Sequence, residues 1–489
     1  MADVTKVLIA NRGEIAVRIV RTLRTMGIPS VVVYHAADAG TLAVREADAA
    51  YEIHHGVPVS AYLDVPQLIE ACRATGADAV HPGYGFLAEN AGFARAVQDA
   101  GLTFIGPNPD VIDLMGDKLR ARELVVEHGF PVAPSATDDG DPQAFLEAAR
   151  QVGVPALVKA AAGGGGKGMR IVADARELES QIAAARGEAE RSFGDPRVYV
   201  ERYIERPRHV EVQVLSDSHG NHLHLWEREC SVQRRFQKLI EETPSPALNA
   251  EQRKHLCETA VGIAKAVGYT NAGTVEFILA PDGAFYFLEM NTRLQVEHPV
   301  TELVTGLDLV EQQIRVARGE ALSMTQADIA QQGHAIECRI CSEDAAHNFA
   351  PTTGEIAMLR APEGPGVRFD SGLSLGQAVT TAFDPMLAKV IVHGATREQA
   401  IARARGALRG MVLLGVETNA AFLERVLAHP AFGDGQLHTH FVEQHEEALK
   451  LPAPDGDLLQ VLVSTAALAH QERVPTVPEP YASIGGWRN

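Results

Sequence analysis

The chain has 489 residues, a formal net charge of −19, 46% hydrophobic residues and 22% charged residues. This composition predicts a soluble globular protein that is long enough for more than one domain. The acidic balance argues against non-specific binding to nucleic acid or to an anionic membrane surface, but it leaves room for a locally basic pocket. The sequence shows no N-terminal signal pattern and no apolar run of membrane-spanning length, so we expect a cytoplasmic protein.

Residues 1–116 have the pattern of a parallel α/β domain. The segment KVLIANRGEIAVRIVRTLRTMGIPSVVVY (6–34) predicts a strand, a turn, a helix and a second strand. The helix is indicated by apolar residues at helical spacing, namely Ile15, Ile19, Leu23 and Met26. The segments that follow predict a helix near 65–75, a strand within 77–83, a helix near 90–99 and a strand within 102–106. The GxGxxG fingerprint is missing, which argues against dinucleotide binding.

Residues 131–203 change to short strands, a glycine tract and an alanine-rich helix, which predicts a small separate domain. The segment PALVKAAAGGGGKGMRIV (155–172) predicts a strand, a flexible loop and a strand. It is not a Walker motif, because Ala161 and Gly168 stand where that motif needs Gly and Ser or Thr. Its setting favours a glycine lid whose backbone amides and Lys167 close over phosphates. A hairpin loop without a ligand is the alternative.

A hairpin in the third region, 204–450, contains paired carboxylates. TVEFIL (274–279) and FYFLEMN (285–291) flank an Asp282-Gly283 pair, which is a strong signal for a tight turn. A two-residue turn at Asp282 and Gly283 would place Ile278 opposite Phe287, and Glu276 opposite Glu289, on a face shared with Phe285.

Two opposed carboxylates with little water around them repel one another, so a positive group should lie between them. Alternation along the strand puts Asn291 on the same face as Glu289, with Arg293 following. Two carboxylates and an amide favour a magnesium ion that also binds phosphate oxygens. The alternatives are a protonated pair and a carboxylate paired with a nearby Arg or Lys.

Five cysteines are scattered along the chain, at positions 72, 230, 257, 338 and 341. The CRIC run at 338–341 has no second CxxC with which to form a metal site. We therefore expect reduced structural thiols.

Eight ordered motifs between residue 6 and about residue 450 resemble biotin carboxylase, a member of the ATP-grasp superfamily. The motifs are IANRGEIAVRI (9–19), HPGYGFLAEN (81–90), MGDK (115–118), GGGGKGMR (163–170), ERYIERPRHVEVQV (201–214), ECSVQRR (229–235) with QK (237–238), EMNTRLQVEHPVTE (289–302) and ECRICSED (337–344). The resemblance implies an α/β ATP-grasp fold with a Rossmann-like parallel domain (1–116), a linker helix (117–130), a small lid domain (131–203), a larger α+β domain (204–450) and a tail or linker (451–489).

The resemblance also implies a reaction. A biotin carboxylase uses MgATP to activate bicarbonate as carboxyphosphate, and then transfers the carboxyl group to biotin on a carrier domain. Magnesium or manganese would be bound by Glu276, Glu289 and Asn291. The nucleotide would be bound by Lys118, Lys159, Gly164, Gly165, Gly166, Lys167, Glu201, Tyr203, Ile204, His209, Gln233, Glu276 and Glu289.

Bicarbonate is a planar anion that suits a guanidinium group. By resemblance it would be bound by Lys238, Arg293, Gln295 and the Val296 backbone amide, and Glu297 would take its proton. Arg339 would stabilise the biotin enolate. Tyr84 would help to shape the biotin pocket, with a purely packed aromatic as the alternative.

This sequence departs from the family pattern at two places near the nucleotide. Phe236 stands where many relatives have a histidine, so a polar contact is lost. Ala161 and Ala162 stand where the lid usually has Ser and Gly, which weakens the assignment of lid contacts.

The sequence contains no biotinylation site of the Met-Lys-Met type, and its nearest match, MLAKV (386–390), lies inside the carboxylase-like region. We therefore expect biotin on another polypeptide or on a missing part of this one, since PYASIGGWRN (480–489) resembles the segment before the next domain of acyl-CoA carboxylase α chains. The expected partners are a biotin carboxyl carrier domain, a second copy of the chain and a carboxyltransferase subunit. The expected role is the first half-reaction of an acyl-CoA carboxylase, as in fatty acid metabolism.

Two other functions are the alternatives. Another ATP-grasp ligase, for example of the carbamoyl phosphate type, would share the paired carboxylates and the lid but would not need HPGYGFL or Arg339. A catalytically silent nucleotide-binding regulator would have no use for the base Glu297. Both are less consistent with the motifs than biotin carboxylase.

Overall fold

The computed structural model describes residues 4–138, 140–161, 169–450, 456 and 460–465. The chain divides into two compact units, Met1–Leu449 and Lys450–Asn489. In the second unit, residues 460–465 are helical and exposed. The elements below all belong to the first unit. Among the described residues, every helix is too short or too polar to span a membrane.

The N-terminal part alternates strands and helices, as predicted. Its elements are β1 (Val7–Ile9), α1 (Gly13–Thr25), β2 (Ser30–Tyr34), α2 (Leu42–Glu46), β3 (Ala49–Glu52), α3 (Pro58–Ala61), α4 (Val65–Thr75), β4 (Ala79–His81), α5 (Ala91–Asp99), β5 (Thr103–Phe104), α6 (Pro109–Gly116) and α7 (Lys118–Glu127). The strands form one parallel sheet in the order β3-β2-β1-β4-β5. Ile15, Ile19 and Leu23 of α1 are buried against this sheet, which confirms the helical spacing.

The strand order of this sheet creates a crevice. The chain winds in opposite directions on either side of the β1–β4 pair, so the loops that follow these two strands diverge at their carboxyl ends. Open α/β sheets bind ligands at this position. The loop after β1 contains Asn11 and Arg12, and the loop after β4 contains Tyr84.

The middle part is a small antiparallel sheet with two helices. Its elements are β6 (Ser135–Thr137), α8 (Pro142–Val152), β7 (Ala156–Ala160), β8 (Arg170–Val172), α9 (Leu178–Phe193) and β9 (Val198–Arg202), with the strand order β6-β9-β7-β8. Strands β7 and β8 pair as the strand-loop-strand prediction for 155–172 requires. The glycine lid itself, residues 162–168, lies outside the described residues.

The largest part contains an eight-stranded sheet. Its elements are β10 (Arg208–Ser216), β11 (His222–Arg234), β12 (Gln237–Thr243), α10 (Ala250–Ala266), β13 (Asn271–Leu279), β14 (Phe285–Asn291), α11 (His298–Thr305), α12 (Leu309–Ala317), β15 (His334–Cys341), β16 (Glu343–Asp344), β17 (Ala350–Pro351), β18 (Gly354–Glu355), β19 (Met358–Arg360), β20 (Val367–Ser371), β21 (Ala378–Val379), β22 (Met386–Gly394), α13 (Arg397–Gly410), β23 (Val412–Leu414), α14 (Ala420–Ala428), α15 (Pro430–Gly433), α16 (Phe441–Gln444) and α17 (Glu446–Leu449). The sheet is antiparallel, in the order β14-β13-β10-β11-β12-β15-β22-β20.

The two faces of this sheet differ in polarity. On one face Val210, Val212 and Val275 pack against apolar residues of α10. The alternate residues of β10, His209 and Glu211, point the other way, because side chains in a strand alternate between faces. This second face forms one wall of the cleft described below.

The carboxylate hairpin corrects the predicted register. Glu276 does lie opposite Glu289, but Ile278 lies opposite Tyr286 rather than Phe287. The turn has three residues instead of two: Ala280 pairs with Ala284 across the loop, and Gly283 adopts a φ of +88°. β14 has a bulge between Phe287 and Glu289, which are the partners of Phe277 and Glu276, and this bulge absorbs the extra residue.

The bulge also moves the aromatic side chains. Phe285 and Phe287 belong to the apolar cluster around α10, and Phe285 packs edge-on against Phe277. Their cross-strand partners Leu279 and Phe277 are core residues, so the prediction that they share a face with the carboxylates is wrong. Tyr286 and Leu288 line the cleft, and Phe287 also reaches its wall. The predicted α/β class is confirmed, with a parallel N-terminal sheet, a small middle sheet and a larger antiparallel sheet, whereas the domain boundaries near 116, 130, 203 and 450 stay a prediction.

Candidate active site

A cleft of about 890 Å³ is lined by the crevice of the parallel sheet, by the middle sheet and by the polar face of the large sheet. Most of the predicted site residues line it, namely Tyr84, Lys118, Lys159, Glu201, Tyr203, Ile204, His209, Gln233, Lys238, Glu276, Glu289, Asn291, Arg293, Gln295, Val296 and Arg339. Glu297 is fully buried and contacts two of these residues. Gly164, Gly165, Gly166 and Lys167 lie outside the described residues.

Lys238 lies at the centre of the polar face, where it holds three carboxylates together. Its Nζ donates to Glu211 at 2.6 Å, to Glu297 at 2.6 Å and to Glu276 at 2.9 Å. An ammonium group has three donors, so all of them are used. Burial would lower the pKa of Lys238, but the three carboxylates outweigh burial and raise the pKa well above its ordinary value.

The carboxylates of the predicted metal site have unequal surroundings. Glu276 accepts hydrogen bonds from Lys238, Asn291 and Gln295, and His209 Nε2 lies 2.9 Å from its other oxygen. Burial would raise the pKa of Glu276, but Lys238 and His209 hold it well below its usual range. The predicted alternative, a carboxylate paired with a nearby lysine, therefore describes Glu276 in this structure.

Glu289 fits a cation better than Glu276 does. Its ion pair with Lys118 is long, with 4.0 Å between Glu289 Oε2 and Lys118 Nζ. Burial and the charge of Glu276 raise the pKa of Glu289, although Lys118 opposes them. With the amide of Asn291 beside them, these oxygen ligands suit magnesium.

Arg293 is oriented by three neighbours. Its Nε donates to Glu89 at 2.7 Å, its Nη2 to Asn291 at 2.9 Å and its Nη1 to Gln295 at 3.0 Å. The guanidinium group is thus fixed at the cleft wall, in a position to meet a planar anion.

Arg339 and Lys238 hold Glu297 from two sides. Arg339 Nη2 donates to Glu297 at 2.9 Å and its Nε donates to Glu241 at 2.5 Å. Burial would raise the pKa of Glu297, but Lys238 and Arg339 lower it well below the usual value. Glu297 is therefore a weak proton acceptor until a ligand draws one of these cations away.

Tyr84 links the crevice to the large sheet. Its hydroxyl donates to Glu14, which lies 3.2 Å from Lys389 Nζ. Lys389 in turn donates to the Val296 carbonyl at 2.7 Å. Tyr84 thus packs against the core of the parallel sheet and also lines the cleft, while its hydroxyl is used in the hydrogen bond to Glu14. Lys389, the lysine of MLAKV, is fully buried, so it cannot serve as a biotin acceptor.

The other end of the cleft is lined by apolar side chains with polar groups at its edge. Lys159 forms an ion pair with Glu201, and Arg122 Nη1 lies 3.4 Å from the same carboxylate. Apolar side chains that line the cleft include Leu157, Met169, Ile171, Leu239 and Ile278. Such a slot can hold a flat aromatic ring.

Two histidines lie at the edge of this slot. Gln233 contacts His209 Nδ1 at 2.8 Å, and the Tyr203 hydroxyl contacts His440 Nε2 at 3.1 Å. Phe236 lines the cleft at the turn between β11 and β12 and is 61% exposed.

Several residues that line the cleft or contact its lining were not predicted. Glu211 could have been found, because His209 and Glu211 alternate along β10 like the carboxylates of β14. Glu89 lies in a motif that was recognised, but its contact with Arg293 joins residues 204 positions apart. His440 carries no local signal. All five cysteines are free, as expected.

The chain is similar to known proteins along most of its length. Three family models match: "Biotin carboxylase, N-terminal domain" over residues 3–112, "Carbamoyl-phosphate synthase L chain, ATP binding domain" over 117–325, and "Biotin carboxylase C-terminal domain" over 337–444.

Similar proteins cover about nine-tenths of the chain. Biotin carboxylase 1 of Bacillus subtilis is 48% identical over 91% of this chain and 99% of its own length. The biotin carboxylase of a Nostoc species is 47% identical over 90% of this chain and 98% of its own. The biotin carboxylase domain dimer of Hydrogenobacter thermophilus 2-oxoglutarate carboxylase, solved with MgADP, ADP and bicarbonate, has a TM-score of 0.88 at 43% identity and covers 92% of this chain and 99% of that one.

Proposed function

Since this chain belongs to the biotin carboxylase family, we propose a role in that reaction for each group of cleft residues. The chain is an ATP-dependent ligase that carboxylates biotin with bicarbonate, and biotin is carried by a separate carrier domain. The observation that carries the assignment is the Lys238–Glu297–Arg339 cluster at the base of the cleft. A protein that only bound nucleotide would have no use for it.

The nucleotide occupies the apolar slot and the polar groups around it. Glu201, Tyr203, Ile204, His209 and Gln233 surround the adenosine part, and all five line the cleft. Lys118, Lys159 and the lid residues Gly164, Gly165, Gly166 and Lys167 bind the phosphates. Glu276, Glu289 and Asn291 would hold magnesium, which neutralises phosphate charge when bound.

Bicarbonate binds between Arg293 and Lys238, with Gln295 and the Val296 backbone amide completing its site. Because all three donors of Lys238 bind carboxylates, bicarbonate must replace one of these contacts. If the contact with Glu297 is released, the pKa of Glu297 rises, and Glu297 can then accept the bicarbonate proton.

Biotin is carboxylated next to Arg339 and Tyr84. The permanent charge of Arg339 stabilises the oxyanion that forms on biotin, and a site with little water makes this effect larger. The Tyr84 ring forms part of the pocket wall, whereas its hydroxyl is engaged by Glu14.

The partners and the final acceptor extend the proposal. We propose a homodimer that receives biotin on a carboxyl carrier domain and supplies a carboxyltransferase subunit, as the first half-reaction of an acyl-CoA carboxylase. The Hydrogenobacter thermophilus domain, which is a dimer, supports the proposed homodimer. Light scattering of the purified chain tests the homodimer directly.

The experiment that tests the function follows labelled bicarbonate into acid-labile carboxybiotin in the presence of ATP, magnesium and free biotin. Omission of ATP, magnesium or biotin provides three matched controls. We expect label in biotin only in the complete mixture. A chain that instead makes labelled carbamoyl phosphate from ammonia would belong with the other ATP-grasp ligases.

A further inference from the structure

A second pair of opposed carboxyl groups lies beneath Arg339, and the proposed mechanism does not use it. Glu241 of β12 and Glu337 of β15 are direct cross-strand partners, and both are fully buried. Arg339 Nε binds one oxygen of Glu241. The other oxygen of Glu241 and both oxygens of Glu337 have no hydrogen-bond partner among the described residues. Such burial strongly penalises two negative charges.

The cations around this pair are directed elsewhere. Lys389 from β22 donates to the Val296 carbonyl and lies 3.2 Å from Glu14 of α1. Lys238 at the start of β12 is used by three other carboxylates. The charged groups that act on Glu337 are Lys389, Glu241, Arg339 and Glu297, and those that act on Glu241 are Arg339, Glu297 and Lys238. Glu337 forms no ion pair with any described residue.

The ionisation of both groups is shifted toward the neutral form. Burial raises the pKa of Glu337 well above its ordinary value, and the charge of Lys389 is too small to reverse this. Burial likewise raises the pKa of Glu241 to about 7, although Arg339 opposes it. Geometry and charge therefore agree that the pair does not carry two negative charges at neutral pH.

We propose that Glu241 and Glu337 retain a proton at neutral pH, and that this proton sets the positive charge that Arg339 offers to its substrate. With Glu241 neutral, Arg339 is balanced by one carboxylate, Glu297; with Glu241 ionised, it is balanced by two. A guanidinium between two carboxylates stabilises a developing oxyanion less. Glu241 is thus a positioning residue that acts through Arg339, and Glu337 acts through Glu241. The functional part rests on the proposed role of Arg339.

Infrared difference spectra of the full chain test for the proton itself. Glu337→Gln and Glu241→Gln keep the shape of each side chain but remove a protonated carboxyl group. We expect at least one of them to lose a carboxylic acid carbonyl band near neutral pH. Glu242→Gln is the matched control, because Glu242 is a buried neighbour held by Arg397 and His334, with a lowered pKa. If neither test variant loses such a band, the proposal is overturned, whatever the enzyme does.

The second experiment tests the effect on Arg339. At each pH between about 6 and 8, we divide the rate of carboxybiotin formation by Glu241→Gln by the rate of the unmodified chain. The variant is permanently neutral at this position, so the ratio should rise at least about threefold with pH. The ratio for Glu242→Gln, and the ratio for bicarbonate-dependent ATP cleavage without biotin, should stay flat.

The outcomes of this second experiment separate the two proposals. A carboxybiotin ratio that stays flat for Glu241→Gln overturns the coupling to Arg339. An equal rise in ATP cleavage without biotin also overturns it, since the effect would then not be specific to the biotin step. If the unmodified chain makes no carboxybiotin at all, the proposed function fails instead, and the infrared result still decides whether the proton is present.

Discussion

Replacing Glu211 with glutamine should destabilise the fold, because Glu211 forms an ion pair with a fully buried arginine. Arg228 and Glu211 are both 0% exposed, with Nε and Oε1 2.5 Å apart. Removing one partner of a buried ion pair costs about 3–5 kcal/mol. Gln213 and Thr301 still accept hydrogen bonds from Arg228, so we expect a loss at the lower end, about 3 kcal/mol.

A double-mutant cycle makes this prediction specific. The free energies of unfolding of Glu211→Gln, Arg228→Met and the double variant are measured by urea unfolding. The double variant lacks the uncompensated charge of Arg228. Its loss of unfolding free energy should therefore be smaller than the sum of the two single losses by at least about 1 kcal/mol. Losses that simply add would refute the reasoning that the two side chains form one ionic unit.

Three further outcomes follow from the site. Tyr84→Phe should change the KM for biotin less than about threefold, because the lost hydroxyl is already used in a hydrogen bond to Glu14. Glu289→Gln should raise the magnesium concentration for half-maximal ATP cleavage about tenfold, since it removes one of two carboxylate ligands. The free energy of unfolding should fall less above pH 5 in Glu337→Gln than in the unmodified chain, when both are measured as a function of pH. The folded chain holds the Glu337 proton there and the unfolded chain releases it, so stability falls as pH rises toward the raised pKa.

The sequence predicted the pairing of Glu276 with Glu289 but not the path of the hairpin between them. The turn is one residue longer than predicted and the bulge in β14 is one residue, so the two errors cancel at the carboxylates. They do not cancel at Phe285 and Phe287, which lie on the core side. Turn signals such as Asp-Gly define where a chain reverses, whereas a compensating bulge depends on packing against other elements.

The residues in or next to the site that the sequence missed are those defined by long-range contacts. Glu241 and Glu337 are adjacent because β12 and β15 pair, although 96 positions separate them. His440 reaches Tyr203 across 237 positions. A motif such as ECRICSED contains Glu337, but it does not show which carboxyl group of another strand becomes its neighbour. The predicted assignments of the glycine lid stay predictions.

The division of labour between Glu297 and Arg339 is the central claim for the reaction. The most direct measurement compares bicarbonate-dependent ATP cleavage without biotin with carboxybiotin formation, in Glu297→Ala and Arg339→Ala. We predict that Glu297→Ala abolishes both activities, whereas Arg339→Ala lowers carboxybiotin formation by about 10²–10³-fold and ATP cleavage far less. Equal losses of the two activities in Arg339→Ala would contradict the account.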